Sequence, residues 1–244
     1  MVCAILTVRS ESSRIPNKAM AKICGRTMLY WILERLKKCQ RIDEVVLATP
    51  FDDPLLETPL DIGQQTWCQG SPSDVIDRMT TVGFERGATK IVRVTADQPF
   101  ISYEGIDQLV DALSPDTDYV NNVYGPYRWL DGTQAEAAWF DAVSRANRMT
   151  PDGDMQKFHD NVSVGGHWRE HGFYWMANSP NFKRKFLQGE YDTRTLPHML
   201  VDEPNDLKVA EFVMGEVLKT NDTYVQLIDI VTRNKAKIED LRAR

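Results

Sequence analysis

The chain has 244 residues, 42% of them hydrophobic and 26% charged, with a formal net charge of −6. That length suits one large α/β domain with a modest appendage, and the composition excludes a disordered, collagenous or coiled-coil protein. The negative charge argues against a dedicated nucleic-acid binder, so any anionic ligand must be held by a local basic site.

Residues Val2 to Val8 form an apolar run with no basic residue before it and charges soon after. It reads as a first strand and not as a secretory leader. The polar loop that follows carries Arg9, Arg14 and Lys18. From Met28 to Cys39, the apolar residues Met28, Leu29, Ile32, Leu33 and Leu36 share one face at helical spacing, and a second strand is expected over Glu44 to Thr49. Trp67-Cys68 is a weak short strand. Ser71 is the expected N-cap of a helix running to Arg86, with Asp74 in its first turn and Gly87 closing it.

Lys90 to Thr95 then reads as a strand ending at Ala96-Asp97-Gln98-Pro99, followed by a helix over Tyr103 to Leu113 and a strand over Asp118 to Val123. Residues 124 to 200 hold most of the aromatic and Gly/Pro-rich segments and show no clear period. Regularity returns with a short strand at His198 to Asp202, a helix from Pro204 to Leu218 with proline at its first position, and a last amphipathic helix over Tyr224 to Arg233. No stretch approaches the roughly 18 apolar residues of a membrane span. Strands alternating with helices in this way predict a mostly parallel α/β sheet.

In such a sheet, ligands sit beyond the carboxyl ends of the strands. That brings together the basic loop, Asp97 and Asp202. Arg9, Arg14 and Lys18 have the guanidinium forks and point charge that suit a triphosphate. Asp97 and Asp202 can hold Mg²⁺, which takes one or two carboxylates along with phosphate oxygens and water. Spacing leaves plainer readings open: a solvated basic loop, a turn aspartate at residue 97, and a helix cap at residue 202. Cys3, Cys24, Cys39 and Cys68 form no C-x-x-C pair, which predicts reduced thiols in a cytoplasmic protein. His167 to His171 matches a bare H-x-x-E-H zinc pattern, but Gly165, Gly166 and Gly172 argue against the helix it needs.

The segment Val8-Arg9-Ser10-Glu11-Ser12-Ser13-Arg14-Ile15-Pro16-Asn17-Lys18, with Gly25-Arg26-Thr27-Met28-Leu29 after it, resembles the cytidylyltransferase family. That family includes CMP-Kdo and CMP-sialate synthetases, and the similarity is greatest to the spore-coat-polysaccharide type. It continues at Gln69-Gly70-Ser71 with Asp74 to Arg78, at Val92 to Pro99, and at Val201 to Leu207. The resemblance implies a Rossmann-like three-layer α/β/α fold of the GT-A-like nucleotide-diphospho-sugar transferase type. It also implies a single domain over 1–244, with an irregular acceptor and dimerisation region at 124–195.

By the same resemblance, Arg9, Arg14 and Lys18 bind the triphosphate, and Ser10, Ser12 and Ser13 line the phosphate loop. Gly70, Ser71, Asp74, Arg78 and Thr95 build the nucleotide pocket, and Asp97 and Asp202 hold Mg²⁺. Asp77 and Arg93 read as surface charges. Glu11 replaces the family's phosphate-loop glycine, so either it points away or it weakens phosphate binding. Gln134 replaces an aspartate, while Glu136 keeps the family's acid. The implied partners are CTP and a small acidic acceptor such as a sugar acid, phosphonate or phosphate, with neither nucleic acid nor membrane.

The implied reaction is attack by an acceptor oxygen on the α-phosphorus of CTP, with Arg14, Lys18 and Asp97 in the catalytic roles. Tyr124, Tyr127, Arg128, Gln134, Glu136, His167 and Arg169 are the acceptor-site candidates. A homodimer is expected through Trp129, Trp139, Trp168, Phe173, Tyr174 and Trp175, which otherwise fold back on their own sheet. Two other readings stay open: a nucleotide-sugar glycosyltransferase of similar fold, which the basic loop disfavours, and a non-catalytic nucleotide-binding protein.

Overall fold

The computed structural model describes residues 1–63, 65–125, 127–151 and 168–243. Strand β1 (Val2–Thr7) is buried on both faces, as a central parallel strand must be. Its alternation sorts two cores: Ala4 and Leu6 pack with Leu29 and Ile32 on one side, and Cys3 and Ile5 pack with Ile76 and Met79 on the other. A short ribbon, β2 (Lys22–Ile23) with β3 (Arg26–Thr27), leads into α1 (Met28–Leu36), where the Thr27 hydroxyl accepts the Tyr30 N–H at 3.1 Å. Then come β4 (Glu44–Pro50), β5 (Thr66–Gly70), α2 (Val75–Glu85), β6 (Lys90–Thr95) and α3 (Tyr103–Ala112).

The next elements are β7 (Tyr119–Asn121), β8 (Glu136–Trp139), α4 (Phe140–Met149), α5 (Gly172–Asn178) and β9 (Arg184–Phe186). Three helices end the described chain: α6 (Pro204–Val217), α7 (Tyr224–Arg233) and α8 (Lys235–Ala243). The sheet runs β5-β4-β1-β6-β8-β7-β9, and among these strands β8 alone is antiparallel to its neighbours. Buried residues of α1, α3, α6, α7 and α8 belong to one core and those of α2, α4 and α5 to the other, giving the expected three-layer α/β/α arrangement. The reversed direction of β8 matters for the site. It puts the first residue of that strand, Glu136, opposite Arg93 near the carboxyl end of β6.

Four expectations need correction. Asp74, not Ser71, caps α2: its carboxylate accepts the Asp77 N–H at 3.0 Å, while the Ser71 hydroxyl accepts the Asp74 N–H at 3.2 Å. The described residues of 124–200 are more regular than their sequence suggests. β8 is alanine-rich, which is atypical of strands, and α4 buries only Ala142, Val143 and Ala146, so its apolar stripe is thin. His198 to Asp202 forms no strand; it is an extended segment with Met199 N–H on the Asp131 carbonyl (2.6 Å) and Val201 N–H on the Asp97 carbonyl (3.0 Å). Finally, Tyr224 to Arg233 is not the last helix, since α8 follows it; residues 168–171 of the H-x-x-E-H match form a 3-10 turn and not an α-helix, and Gly172 opens α5 after them.

The aromatic residues of the 124–195 region largely take the alternative role of folding back. Trp129 stacks on Tyr224 with ring centroids 4.2 Å apart, Trp168 meets Trp175 edge-on, and Trp129, Trp168 and Phe173 are buried. Trp139 packs beside both cores.

Gly132 is the tightest point under the 198–202 segment. Its φ is +93°, and a Cβ there would lie 2.4 Å from the Met199 carbonyl carbon and 2.5 Å from Leu200 N. Gly25 also has positive φ (+78°) but open space around it. Alanine at either position costs about 1–2 kcal/mol from the backbone conformation. Gly132→Ala should lose a further 1–3 kcal/mol or so through the backbone clash. Thermal unfolding of the two variants checks this, and equal losses would remove Gly132 as the support of that segment.

Candidate functional site

The carboxyl end of β1 opens into the basic loop, and the register Thr7 opposite Thr95 sets that loop beside the end of β6. The loop is pinned from both sides. The buried Asp53 accepts the Ser10 N–H at 3.0 Å and the Leu55 N–H at 2.9 Å, while the Ser10 carbonyl accepts the Asn17 N–H at 3.2 Å. Asn17 sits in the left-handed region, with φ 51°. Ser10 is therefore buried, and its N–H, expected to face phosphate, is spent on Asp53. Ser12, Ser13, Arg9, Arg14 and Lys18 do line a cleft of about 360 Å³. Glu11 borders it too, so its carboxylate adds negative charge at the wall.

At the floor of this cleft one ammonium draws two carboxylates together. Lys18 Nζ lies 2.9 Å from Asp202 Oδ1 and 3.7 Å from Asp97 Oδ2. Arg14 reaches Asp202 at 3.4 Å and Glu203 at 3.2 Å. The Thr95 hydroxyl donates to Asp97 Oδ1 at 2.6 Å, orienting that carboxylate. Among the described residues no group of three or more His, Cys, Asp or Glu converges. Two hard oxygen donors that already share one cation fit Mg²⁺, which completes its shell with phosphate and water, and do not fit a closed zinc site.

The far wall is built by Pro72 and by Val75 and Arg78 of α2, whereas Gly70, Ser71 and Asp74 stand behind it. Gly70 lets Arg78 pack close, since a Cβ at residue 70 would lie 2.9 Å from Arg78 Cγ. Arg78 is only 3% exposed, donates to the Ser71 carbonyl at 3.0 Å, and leaves its Nε buried without a partner. Burial, and then the nearby positive charge of Arg9, push its pKa below the usual guanidinium value. Two arginines facing one cleft, one of them with an unspent donor, form a site for an anionic or carbonyl-bearing ligand.

A family profile described as Cytidylyltransferase matches residues 3–195. The chain belongs to the cytidylyltransferase family. It is thus a nucleotidyltransferase, and solved relatives share its fold. A cytidylyltransferase from Leptospira borgpetersenii superposes with a TM-score of 0.80 at 21% identity, covering 98% of this chain and 97% of that one. A CMP:2-keto-3-deoxy-manno-octonic acid synthetase complexed with CTP gives 0.64 at 15% identity over 88% and 98% of the two chains. In sequence, an uncharacterized Methanocaldococcus jannaschii protein is 28% identical over 96% of this chain and 91% of its own length. The 3-deoxy-manno-octulosonate cytidylyltransferase of Geobacter sulfurreducens is 32% identical over 46% of this chain, an alignment that spans 45% of that enzyme.

In this cytidylyltransferase a second cleft, of about 190 Å³, shares Arg93, Thr95 and His171 with the first. Gln134, Glu136 and Tyr124, three of the acceptor-site candidates, line it. Gln134 donates to the Trp129 carbonyl at 2.6 Å. Glu136 takes Arg93 at 2.6 Å and the hydroxyl of the buried Tyr119. Burial and the Glu136 charge push the Tyr119 hydroxyl well above the usual phenol range, so it stays a donor.

Three acceptor candidates are not brought to either cleft. Tyr127 and Arg128 are exposed on a loop that is clamped through their main chain by Gln188, Gly189 and Thr193. Arg169 is committed to Asp74 (2.6 Å) and to the Asn147 and Thr150 carbonyls, tying the turn at Trp168–His171 to α2 and α4. His167 lies outside the described residues.

Other residues join the site without having been expected there. Arg93, read as a surface charge, lines both clefts. Glu170 pairs with Arg9 at 3.3 Å. His171 is held below the ordinary imidazole pKa by burial and then by Arg93, which keeps it neutral at pH 7. Gln98 lines the second cleft with a buried, unpartnered Oε1. The H-x-x-E-H match was the available signal for Glu170 and His171, though it pointed to zinc chemistry; Asp53 and Arg93 had no local signal.

A buried guanidinium with an unsatisfied Nε is a standing cost to the free protein. Arg78→Met should raise thermal stability by about 1 kcal/mol, the scale of one unsatisfied buried donor, and lower CTP affinity tenfold or more. Calorimetric titration with CTP and a melting curve test both halves; undiminished CTP binding would take Arg78 out of the pocket.

Proposed function

We propose that this chain transfers CMP from CTP to an oxygen of a small acidic acceptor and releases pyrophosphate. The observation that carries the reading is the convergence of Lys18, Asp97 and Asp202 in a cleft whose rim holds Arg9 and Arg14. Cations for phosphate oxygens and carboxylates for a metal stand side by side there, beyond the carboxyl ends of parallel strands.

Phosphoryl chemistry of this kind asks for positioning and charge neutralisation more than covalent help. In the proposed reaction the acceptor oxygen bonds to the α-phosphorus as the bond to the β-phosphate oxygen breaks. Arg14 and Lys18 stabilise the charge that develops on the departing pyrophosphate. Arg9, Ser12 and Ser13 hold the triphosphate, and Arg78 with Gly70, Ser71 and Thr95 shapes the nucleoside end. Asp97 and Asp202 would hold Mg²⁺, which would supply further charge neutralisation at the phosphates.

Gln98, Gln134, Glu136 and Tyr124 face the acceptor in the second cleft, and kinship with enzymes named for 3-deoxy-manno-octulosonate supports an acidic sugar. The same reading takes the chain as one domain in a reducing cytoplasm, which suits its four free thiols. Among the described residues, no helix is long and apolar enough to cross a membrane.

The test is pyrophosphate release with Mg²⁺, each of the four nucleoside triphosphates, and a panel of acidic acceptors. CTP should be preferred, and Asp97→Ala should abolish turnover with its circular dichroism unchanged. Equal use of all four triphosphates, or normal turnover in Asp97→Ala, overturns the reading.

A homodimer belongs to this proposal as well. Since the tryptophans are mostly packed inward, the exposed Tyr127, Met149 and Phe186 are the large apolar side chains that the described part of the 124–195 region offers to a partner. Light scattering should give a mass near twice 27.9 kDa, and Phe186→Asp should halve it; a mass of one chain at micromolar concentration rejects the dimer.

A further inference from the structure

We infer that Arg242, on the last helix, is a positioning residue for the Asp202 carboxylate and acts on it through Asp206. The inference rests on the proposed role of Asp202 in holding a divalent cation.

Asp206 is 2% exposed and works with both oxygens. Oδ2 accepts the main-chain N–H of Asp202 at 3.0 Å and of Glu203 at 2.8 Å, closing the capping box of α6. Oδ1 accepts Arg242 Nε at 2.7 Å. The same guanidinium donates from Nη2 to the His198 carbonyl at 2.8 Å. One side chain from α8 thus grips both ends of the 198–203 segment, and Asp202 sits inside that grip. Helix α8 is anchored independently by Ile238, which is fully buried, and by Asn205 Nδ2 on the Arg242 carbonyl at 3.0 Å.

The energetics favour a local consequence. A buried carboxylate tolerates its charge only when it is paired and fully hydrogen-bonded, and removing its cation leaves an uncompensated charge. Without Arg242, the buried Asp206 carboxylate lacks its counter-charge and must draw in water, and its hold on the Asp202 and Glu203 amides weakens. The 198 end of the segment also loses the bond to its carbonyl and is left with Met199 N–H on the Asp131 carbonyl. Asp97 keeps its own anchor, the Thr95 hydroxyl at the end of β6, and meets the segment through its carbonyl on the Val201 N–H, ahead of the Asp202 and Glu203 amides. The two carboxylates then lose their registration, and metal affinity falls even though neither has been changed. Groups that orient metal ligands from behind typically carry 10- to 100-fold in metal affinity.

The experiment is direct Mn²⁺ binding, followed by electron paramagnetic resonance in the presence of CTP, on the full chain and four variants. Arg242→Met should weaken Mn²⁺ binding about tenfold while CTP affinity measured in EDTA is unchanged. Arg242→Lys should recover part of the loss, because an ammonium still pairs with Asp206. Asn205→Ala, which loosens α8 without touching Asp206, should lower the melting temperature and leave Mn²⁺ affinity alone. Asp202→Asn is the control for the underlying reading: if it binds Mn²⁺ as the wild type does, the metal role of Asp202 fails. If Asp202→Asn is impaired but Arg242→Met binds normally, or if Asn205→Ala loses as much as Arg242→Met, the positioning role is overturned. Should Arg242→Met fail to fold, Arg242→Lys decides, with a threefold or greater loss expected and wild-type affinity rejecting the proposal.

Discussion

Holding one ammonium within reach of two carboxylates that are remote in sequence is the constraint around which the rest of this protein is arranged. Lys18 comes from the loop after β1, Asp97 from the turn after β6, and Asp202 from an extended segment before α6. Each is placed by a different device: main-chain pinning of the basic loop on Asp53, a hydroxyl on a strand end, and a capping box closed by Asp206. The parallel pairing of β1 with β6 brings the first two together, and the hydrogen bond from Val201 N–H to the Asp97 carbonyl joins the third.

The cleft keeps a close charge balance before any ligand is considered. Arg9 is matched by Glu170, Arg93 by Glu136, and Lys18 by the two aspartates. Arg78 stands apart, buried and with an unpartnered Nε. In the proposed function, a multiply charged nucleotide would meet preorganised cations whose present partners are carboxylates that could turn toward a metal. Such exchange of partners needs little reorganisation of the chain, which is where electrostatic catalysis gains most.

The reversed strand β8 divides the site in two. Parallel strands deliver their carboxyl ends to the nucleotide cleft, whereas β8 delivers its first residue, so Glu136 arrives beside Arg93 with Tyr119 behind it. The second cleft shares a wall with the first through Arg93, Thr95 and His171. In the proposed reaction, an acceptor bound there would lie next to the phosphates. On the same reading, variation of Gln98 and Gln134 would change the acceptor without disturbing the first cleft.

The parallel half of the sheet, the basic loop and both aspartates were legible in the sequence because each depends on local pattern: buried β-rich runs, helical spacing in α1, and short motifs with fixed chemistry. The alanine-rich β8 and thin-faced α4 were not, since strand pairing and the opposite layer hold them: β8 has no β-branched residue, and α4 buries only the small Ala142, Val143 and Ala146 on an otherwise polar helix. Ser71 looked like a cap because the local signal does not say which of two nearby oxygens faces the free N–H groups. Tyr127, Arg128 and Arg169 looked like acceptor contacts because polar and aromatic type says nothing of direction; the tertiary structure turned two outward and spent the third on Asp74. The sequence by itself determined the class of chemistry, because chemistry resides in side-chain type and short spacing. Tertiary structure alone decided which charges meet, because Lys18 and Asp202 are neighbours only after the sheet and the α6 cap have formed.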